Sequence, residues 1–335
     1  MMITIRDVAE KAQTSIATVS RVLNNLGGYS EQKKIEVLKA VDELGYESNA
    51  IARSMIVKKT NTIGVVFPNI SSMLTYEFLN GIEDVTYKNN FNVIVSYTYS
   101  QPERMMKALR MLYEKRVDGI IFTSDVVNDE YLKYFEKIDI PVVFLSTKSD
   151  NSSIPYVKVN DFNAAYDATE YLIRNGHNTI GMISGNPEDP IAGFPRLEGY
   201  KSALKKANLP IEENLIRYGY DFNFEDGKNK FRELVDTNPD MTAIFAASDE
   251  MASGAITAAH QMDIEIPNQI SIMGFDNTMI AEIAYPALTT LAQPLRKMGS
   301  EAVKLLLKNI DGEKFENEVI LPHSIKERQS VKKIN

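Results

Sequence analysis

From Thr62 onward, short runs of β-branched and aromatic residues alternate with helical patterns, and no other feature constrains the fold as tightly. The runs predicted as strands are Ile63–Phe67, Asn92–Tyr97, Gly119–Thr123, Val142–Ser146, Thr179–Ser184, Ala243–Ala246 and Ser271–Phe275. Predicted helices separate them: Tyr76–Lys88, Pro102–Lys115, Asp129–Ile138, Asn163–Asn175, Arg196–Ala207, Glu225–Val235 and Met251–Met262. Strands that are apolar throughout need cover on both faces, so this order predicts α/β architecture with doubly wound parallel sheets. The strands fall into two groups that divide near Asn160 and Asp161. Two similar lobes are therefore expected, with a cleft in which a ligand sits beyond the strand C-terminal ends. A helix over Leu295–Asn309 and a strand over Glu318–Leu321 are expected to return to the first lobe.

The chain before Thr62 has a different character. Thr4 is a helix cap, followed by Val8, Ala9 and Ala12 at helical spacing, and a break comes at Ala12-Gln13-Thr14. Ser15 caps a second helix that runs to Asn24. Val19, Val22 and Leu23 would face inward, whereas Ala17 and Arg21 share the outer face with Ile16 and Ser20 beside them. A helix that presents hydroxyls, a small residue and one Arg suits a DNA major groove. The same spacing also fits an ordinary helical hairpin, so spacing alone leaves both open. A third helix is expected over Ser30–Leu44, with Ile35, Leu38, Val41 and Leu44 on its inner face and Gly45 at its end.

Composition narrows the chemistry. The 335 residues contain no cysteine, which excludes disulfides, thiolate catalysis and Cys-based zinc sites. The start MMITIRDVAEK is charged and lacks a leader-like apolar run, and no stretch of about 18 apolar residues occurs. A soluble, cytoplasmic protein with no membrane partner is expected, nucleoid-associated when bound to DNA. The net charge of -8 argues against a general nucleic-acid coat. Residues 1–60 carry nine Lys/Arg and seven Asp/Glu, leaving 28 and 38 for the remainder, so a mildly basic segment precedes an acidic body. His177, His260 and His323 are scattered with no metal-ligand spacing, and no phosphate-binding glycine motif is present. No enzyme activity, metal or cofactor is expected. Polar residues instead cluster past strand ends: Asn69, Ser71 and Ser72, then Ser124 and Asp125, Ser146, Ser248 and Asp249, and Asp276 and Asn277. Fixed donors and acceptors of this kind suit a sugar, although each one singly is also a good helix cap.

The segment ITIRDVAEKAxxSxATVSRVLN, together with NAIARSM at residues 49–55, resembles the headpiece of the lac-repressor (LacI/GalR) family. So do GxPRLEGYxxAL (193–204), AIFAASDEMASGA (243–255) and SIMGFDNTMIAEIAYPALTTLAQP (271–294), and the resemblance covers roughly residues 3–330. It implies an all-α helix-turn-helix headpiece (1–47), a hinge helix and linker (48–60), and a two-lobed, periplasmic-binding-protein-like effector and dimerisation domain (61–335). Thr4, Ser15, Ile16, Ala17, Thr18, Ser20, Arg21 and Asn24 would then contact DNA. Asn49, Ala52 and Met55 would enter the minor groove, with Met55 where the family has a leucine wedge. Arg196 falls on the ligand-gripping position, Asp276 on the acceptor position, and Phe222 on the stacking aromatic. Met73, Leu74, Ser146, Ser248 and Asp249 fall on other pocket positions, Asp249 doubling as a helix cap. Gln13 and Thr14 stand where Gly and Val are usual, and Ser48 where Pro is usual.

The resemblance implies a homodimeric repressor that binds double-stranded operator DNA and answers to a sugar or sugar-phosphate effector. Nothing beyond Arg328 extends into a heptad repeat, so a tetramer-forming tail is not expected. One rival keeps the DNA binding and changes the signal. Gram-positive catabolite control proteins share GFDNT and LPH with this chain and are co-repressed by a phosphorylated phosphocarrier protein. Members of that kind carry an acidic residue at Lys297 and an Arg at Lys304, so this chain departs at both. A second rival, a transport binding protein without DNA function, conflicts with the headpiece.

Overall fold

Caps and turns account for the N-terminal helices α1 (Ile5–Lys11), α2 (Ile16–Leu23) and α3 (Glu31–Leu44). The computed structural model describes residues 3–23, 27–46, 59–68, 72–151 and 153–334. Asn24, Asn49, Ala52 and Met55, with Asn69 and Ser71, lie outside the described residues. The chain divides into two units, Met1–Thr60 and Asn61–Asn335.

In the first unit the Thr4 amide and hydroxyl both donate to Asp7 Oδ2, at 2.7 and 2.8 Å, which fixes the start of α1. The end of α1 is closed by two reversed bonds, Gln13 amide to Glu10 carbonyl (3.1 Å) and Thr14 amide to Ala9 carbonyl (3.0 Å). Gln13 takes the left-handed conformation there, with φ 47°. Ser15 Oγ accepts the Thr18 amide at 3.1 Å and begins α2. Val8, Ala9, Ala12, Val19 and Val22 are buried against Val37 and Ala40 of α3. Ile35 and Leu38, expected on the inner face of α3, are instead 60% and 46% exposed. The stripe of Val37, Ala40, Val41 and Leu44 stays apolar for two turns, whereas the stripe from Ile35 meets Lys39 and Asp42. Continuity of the apolar stripe decided which face turned inward.

The second unit holds two six-stranded sheets. The first is built from β1 (Thr62–Phe67), β2 (Asn92–Tyr97), β3 (Gly119–Thr123), β4 (Val142–Leu145), β5 (Tyr156–Lys158) and β11 (Glu318–Ile320), in the order β11-β5-β4-β3-β1-β2. The second is built from β6 (Ile180–Ser184), β7 (Ile216–Tyr218), β8 (Ala243–Ala246), β9 (Ser271–Asp276), β10 (Thr289–Ala292) and β12 (Ser324–Lys326), in the order β12-β10-β9-β8-β6-β7. Every pairing is parallel except that of β12 with β10, so the doubly wound expectation holds with one antiparallel edge. The central strands are buried along all of their length but for Thr62 at the start of β1, as their apolar runs require.

Helices α4 (Met73–Lys88), α5 (Pro102–Glu114) and α6 (Asp129–Lys137) belong to the first lobe. Helices α7 (Asp161–Arg174), α8 (Gly193–Lys206), α9 (Phe224–Thr237), α10 (Asp249–Gln261) and the short α11 (Met279–Ile283) belong to the second. The chain crosses between lobes at Asn160-Asp161, returns after β10 through α12 (Leu295–Ile310) to β11, and crosses again into β12. The divide at Asn160 and the return of α12 and β11 to the first lobe match expectation. Helices α9 and α10 touch backbone to backbone: a Cβ on Gly227 would lie 1.9 Å from the Met251 carbonyl oxygen, and one on Gly254 2.0 Å from that of Phe224. That contact sets the two helix N-termini side by side at the mouth of the second lobe.

Candidate functional site: a DNA-reading helix face and an inter-lobe cleft

The outer face of α2 is what its spacing predicts. Val19 and Val22 are buried, while Ser15, Ile16, Ala17 and Arg21 are exposed and Thr18 and Ser20 half-buried. Two of the hydroxyls are already engaged with each other, Ser15 Oγ lying 2.9 Å from Thr18 Oγ1. Ile16, Ala17 and Arg21 are left as the projecting groups. Thr4 sits at the head of α1 with its hydroxyl on Asp7, and these two bonds hold the Asp7 carboxyl below its ordinary value.

Between the lobes lies a cavity of about 610 Å³, in the range that encloses a small ligand. The strand C-terminal ends supply its walls. Tyr99, Ser100, Ser124, Ser146, Phe222 and Asp276 line it, and all have positive φ, from 47° at Ser124 to 120° at Asp276. Left-handed backbone at non-glycine residues carries strain, and its concentration at one cleft marks a place where side-chain direction outweighs local comfort. Ser146 was expected to end β4; the strand instead stops at Leu145, and Ser146 turns into the cavity.

Arg196, from α8, is 5% exposed on the second-lobe floor. Its Nε and Nη2 both lie 2.9 Å from Asp161 Oδ1, and Nη1 donates to the Ala247 carbonyl at 2.7 Å. Lys158 Nζ holds the other Asp161 oxygen at 2.9 Å. The guanidinium stacks on Phe275 with 3.8 Å to the ring centroid, and the Phe222 ring is 5.8 Å away. With Nε and Nη1 hydrogen-bonded and Nη2 against the Asp161 carboxylate, the fork keeps hydrogens on both terminal nitrogens for a ligand. Asp276 is buried and accepts from Gln293 Nε2 at 2.7 Å; burial pushes its carboxyl well above the ordinary value, against the pull of Arg196.

Ser248 caps α10, accepting the Met251 amide at 3.1 Å and donating to the Phe222 carbonyl at 2.8 Å. It thereby ties the loop that carries Phe222. Asp249 is fully buried, and its two oxygens are taken by the Thr278 amide (2.7 Å), the Thr278 hydroxyl (3.1 Å) and the Thr290 hydroxyl. Burial raises its pKa to about 6. It edges the cavity, yet its acceptors serve the loop after β9. Leu74 lines the cavity but Met73 does not; the Met73 amide points across the cleft and donates to Glu250 Oε1 at 3.3 Å. Of the described residues expected at the ligand, two stand outside the wall: Met73, which opens α4 and whose amide is spent on the opposite lobe, and Asn277, whose Oδ1 accepts from Arg328 at 2.8 Å.

Several wall residues carried little sequence signal. Asn186 and Asp189, in what reads as a plain Gly-Asn-Pro loop, both line the cavity. Asp189 accepts the amides of Ile191, Ala192 and Gly193, closing the entry to α8. Tyr99, Tyr220 and Glu250 also line it, and Arg196 rests on Asp161, which Lys158 three positions earlier also holds. His177 is buried, with Nδ1 3.0 Å from Thr242 Oγ1 and Nε2 3.1 Å from the Lys332 carbonyl, so it pins the C-terminal segment. His260 and His323 bond to the Tyr285 carbonyl and Asp167. Among the described residues no group of three or more His, Cys, Asp or Glu is placed to hold a metal, and no helix is long and apolar enough to cross a membrane.

Residues 4–49 match the family described as bacterial regulatory proteins, lacI family, and residues 169–331 match a periplasmic binding protein-like domain. Catabolite control protein A of Priestia megaterium is 37% identical over 333 residues, which is 99% of this chain and 100% of the relative. The chain belongs to the lacI family of bacterial regulatory proteins. Its fold is that of a lac repressor dimer solved on operator with the anti-inducer ONPF, at a TM-score of 0.89 and 27% identity over 99% of this chain and 100% of that one. A complex of the transcriptional regulator CelR with cellobiose matches at a TM-score of 0.75 and 28% identity, covering 98% and 99% of the two chains. As a lacI-family member the chain is a DNA-binding transcriptional regulator with an effector-binding core, and its relatives are regulators and not enzymes.

Proposed function

We propose that this regulator is a homodimeric repressor of carbohydrate-utilisation genes, released from its operator by a sugar or sugar phosphate held in the inter-lobe cleft. Each subunit would lay α2 in the major groove of one half-site, and the dimer's two-fold axis would make the operator a near-palindrome. Ile16 and Ala17 suit thymine methyls, and Arg21 suits guanine. The reading extends to Thr4, Ser15, Thr18, Ser20 and Asn24 as supporting DNA contacts, and to Asn49, Ala52 and Met55 in the minor groove. In the cleft, Arg196 would donate to adjacent hydroxyls, Asp276 would accept, and Phe222 would stack, with Leu74, Ser146 and Ser248 shaping the pocket. The observation that carries this reading is the cavity, where a partly free guanidinium, a buried carboxylate and an aromatic ring converge.

The test is operator binding by the purified protein, on the DNA upstream of its own gene, against a panel of sugars. One sugar that releases the operator supports the reading. Arg21→Ala should cost operator binding on the order of tenfold or more while sugar binding persists, since a bidentate guanine contact is worth about 1–3 kcal/mol. Equal loss of both would sink the assignment of α2.

A second reading is favoured by the 37% identity to a catabolite control protein. Under it, phosphorylated phosphocarrier protein would tighten operator binding. Lys297 and Lys304 lie exposed on α12, with Lys304 paired to Glu301 at 2.9 Å, in place of the acidic residue and Arg that such members carry. Those two departures favour the sugar. Binding that ignores every sugar but strengthens with the phosphorylated carrier would reverse the preference.

A further inference from the structure

The wall of the cleft is rich in carboxyl groups and poor in cations. Asp125, Asp189, Asp221, Asp249, Glu250 and Asp276 all line it, and Arg196 is the one cationic side chain among its described lining residues. Arg196 is itself shared with Asp161.

The usual seats for an anion are also partly occupied from within. Helix N-termini offer free amides and a positive dipole end, and that is where a phosphate settles. At α4 the Met73 amide is taken by Glu250 and the Leu74 amide by Ser72 Oγ. At α8 the amides of Ala192 and Gly193 are taken by Asp189. At α9 the Asp226 amide is taken by Asn223, and at α10 the Met251 amide by Ser248. Two of these four helix starts are thus filled by a carboxylate of the chain's own.

What remains open suits hydroxyl groups. Ser124 Oγ is buried at the wall without a partner, Arg196 has hydrogens to spare, and the Tyr220 and Phe222 rings offer apolar faces. We propose that the cleft takes an uncharged polyhydroxylated ring and turns away the phosphorylated form of the same ring. This rests on the cleft being the effector site. It narrows the effector to the neutral class, because a phosphate of about −1.5 to −2 charge would lose its water among carboxylates with one shared cation to compensate.

The experiment is calorimetric titration of the full-length protein with matched pairs: glucose and glucose 6-phosphate, fructose and fructose 6-phosphate, cellobiose and its 6-phosphate. Operator binding is followed in the same preparation. At least one neutral sugar should bind, with its phosphate at least tenfold weaker. Asp189 anchors α8, so Asp125→Asn is the variant of choice; it should narrow that gap several-fold. A phosphate that binds as tightly as its parent, no binding by any neutral sugar, or a gap unchanged in Asp125→Asn would overturn the proposal. Operator binding that survives such a failure confines it to the cleft; operator binding lost as well would bring down the repressor reading itself.

Discussion

Arg196 shows how one residue can be read correctly in kind and incompletely in role. The sequence placed a fork-shaped donor at the ligand, and the side chain does reach the cavity. Its bond to Asp161, 35 positions away, is illegible, since no local pattern records a contact at that separation, and the Lys158–Asp161 pair three residues apart gives no sign that it supports Arg196. The consequence is that Arg196→Ala cannot serve as a clean test of ligand response. Removing the guanidinium strips Asp161 of one of two buried partners and should destabilise the second unit by about 3 kcal/mol in urea unfolding. A loss under 1 kcal/mol would mean the buried pair matters little. Asp125 gives a second test at this scale. Burial, aided by nearby Asp189, raises its pKa from 3.8 to about 6. The fold thus favours the protonated form, so the stability Asp125 contributes is present below pH 4 and is lost as pH rises through 6. Asp125→Asn, which keeps an acceptor for the Val126 amide, should be near neutral in effect at pH 4. Above pH 6 it should be stabilising, by a ceiling of about 3 kcal/mol. Thermal unfolding across that range checks it, and a gain that does not grow with pH would refute the assignment.

At the scale of elements, long periodic segments were legible and short ones were not. Strands β3 and β8 fall where their apolar runs predict, because a buried central strand declares itself by unbroken hydrophobicity, and β2, a half-buried edge strand, falls in place as well. Strands β5, β7 and β12, of three residues each, and β10, of four, show no period and are absent from the expected set, whereas β11, also of three, falls where Glu318–Leu321 was expected. The inner face of α3 was misread because two apolar stripes compete there and only packing separates them. The turn between α1 and α2 is the converse case. Its position was plain from the sequence, and the departure at Gln13 has a measurable cost. A glutamine with φ 47° sits where the reversed bonds call for a residue free to turn left-handed. Gln13→Gly should stabilise the helix pair by about 1 kcal/mol, less some loss from a more flexible unfolded chain. Amide exchange at Val8, Val19 and Val22 in the full chain should slow about fivefold. Faster exchange would show that Gln13 makes contacts worth more than the strain.

At the scale of the whole molecule, the function requires the cleft and the operator to exchange free energy, and the three lobe crossings give the lobes a common hinge through which they can do so. The cleft is also bridged directly between the lobes. Glu250, in the first turn of α10, accepts the Met73 amide at the start of α4 and a hydrogen bond from Ser72, so the second lobe caps a helix of the first. Such a contact exists only while the lobes stand at this distance. Removing it by Glu250→Ala should weaken the near-lobe arrangement by about 1 kcal/mol and the affinity of any ligand that needs that arrangement by about fivefold. Linkage makes the prediction stricter. If ligand lowers operator affinity by some factor, operator must lower ligand affinity by the same factor, in the parent protein and in the variant alike. Titrating the sugar with and without operator duplex, and the operator with and without sugar, measures both factors. Unchanged sugar affinity in Glu250→Ala would remove the clasp from the mechanism. Weakened sugar affinity with the coupling factor intact would make Glu250 a contributor to closure alone. A coupling factor that falls together with affinity would identify the α4–α10 contact as part of the path by which the occupied cleft reaches the DNA.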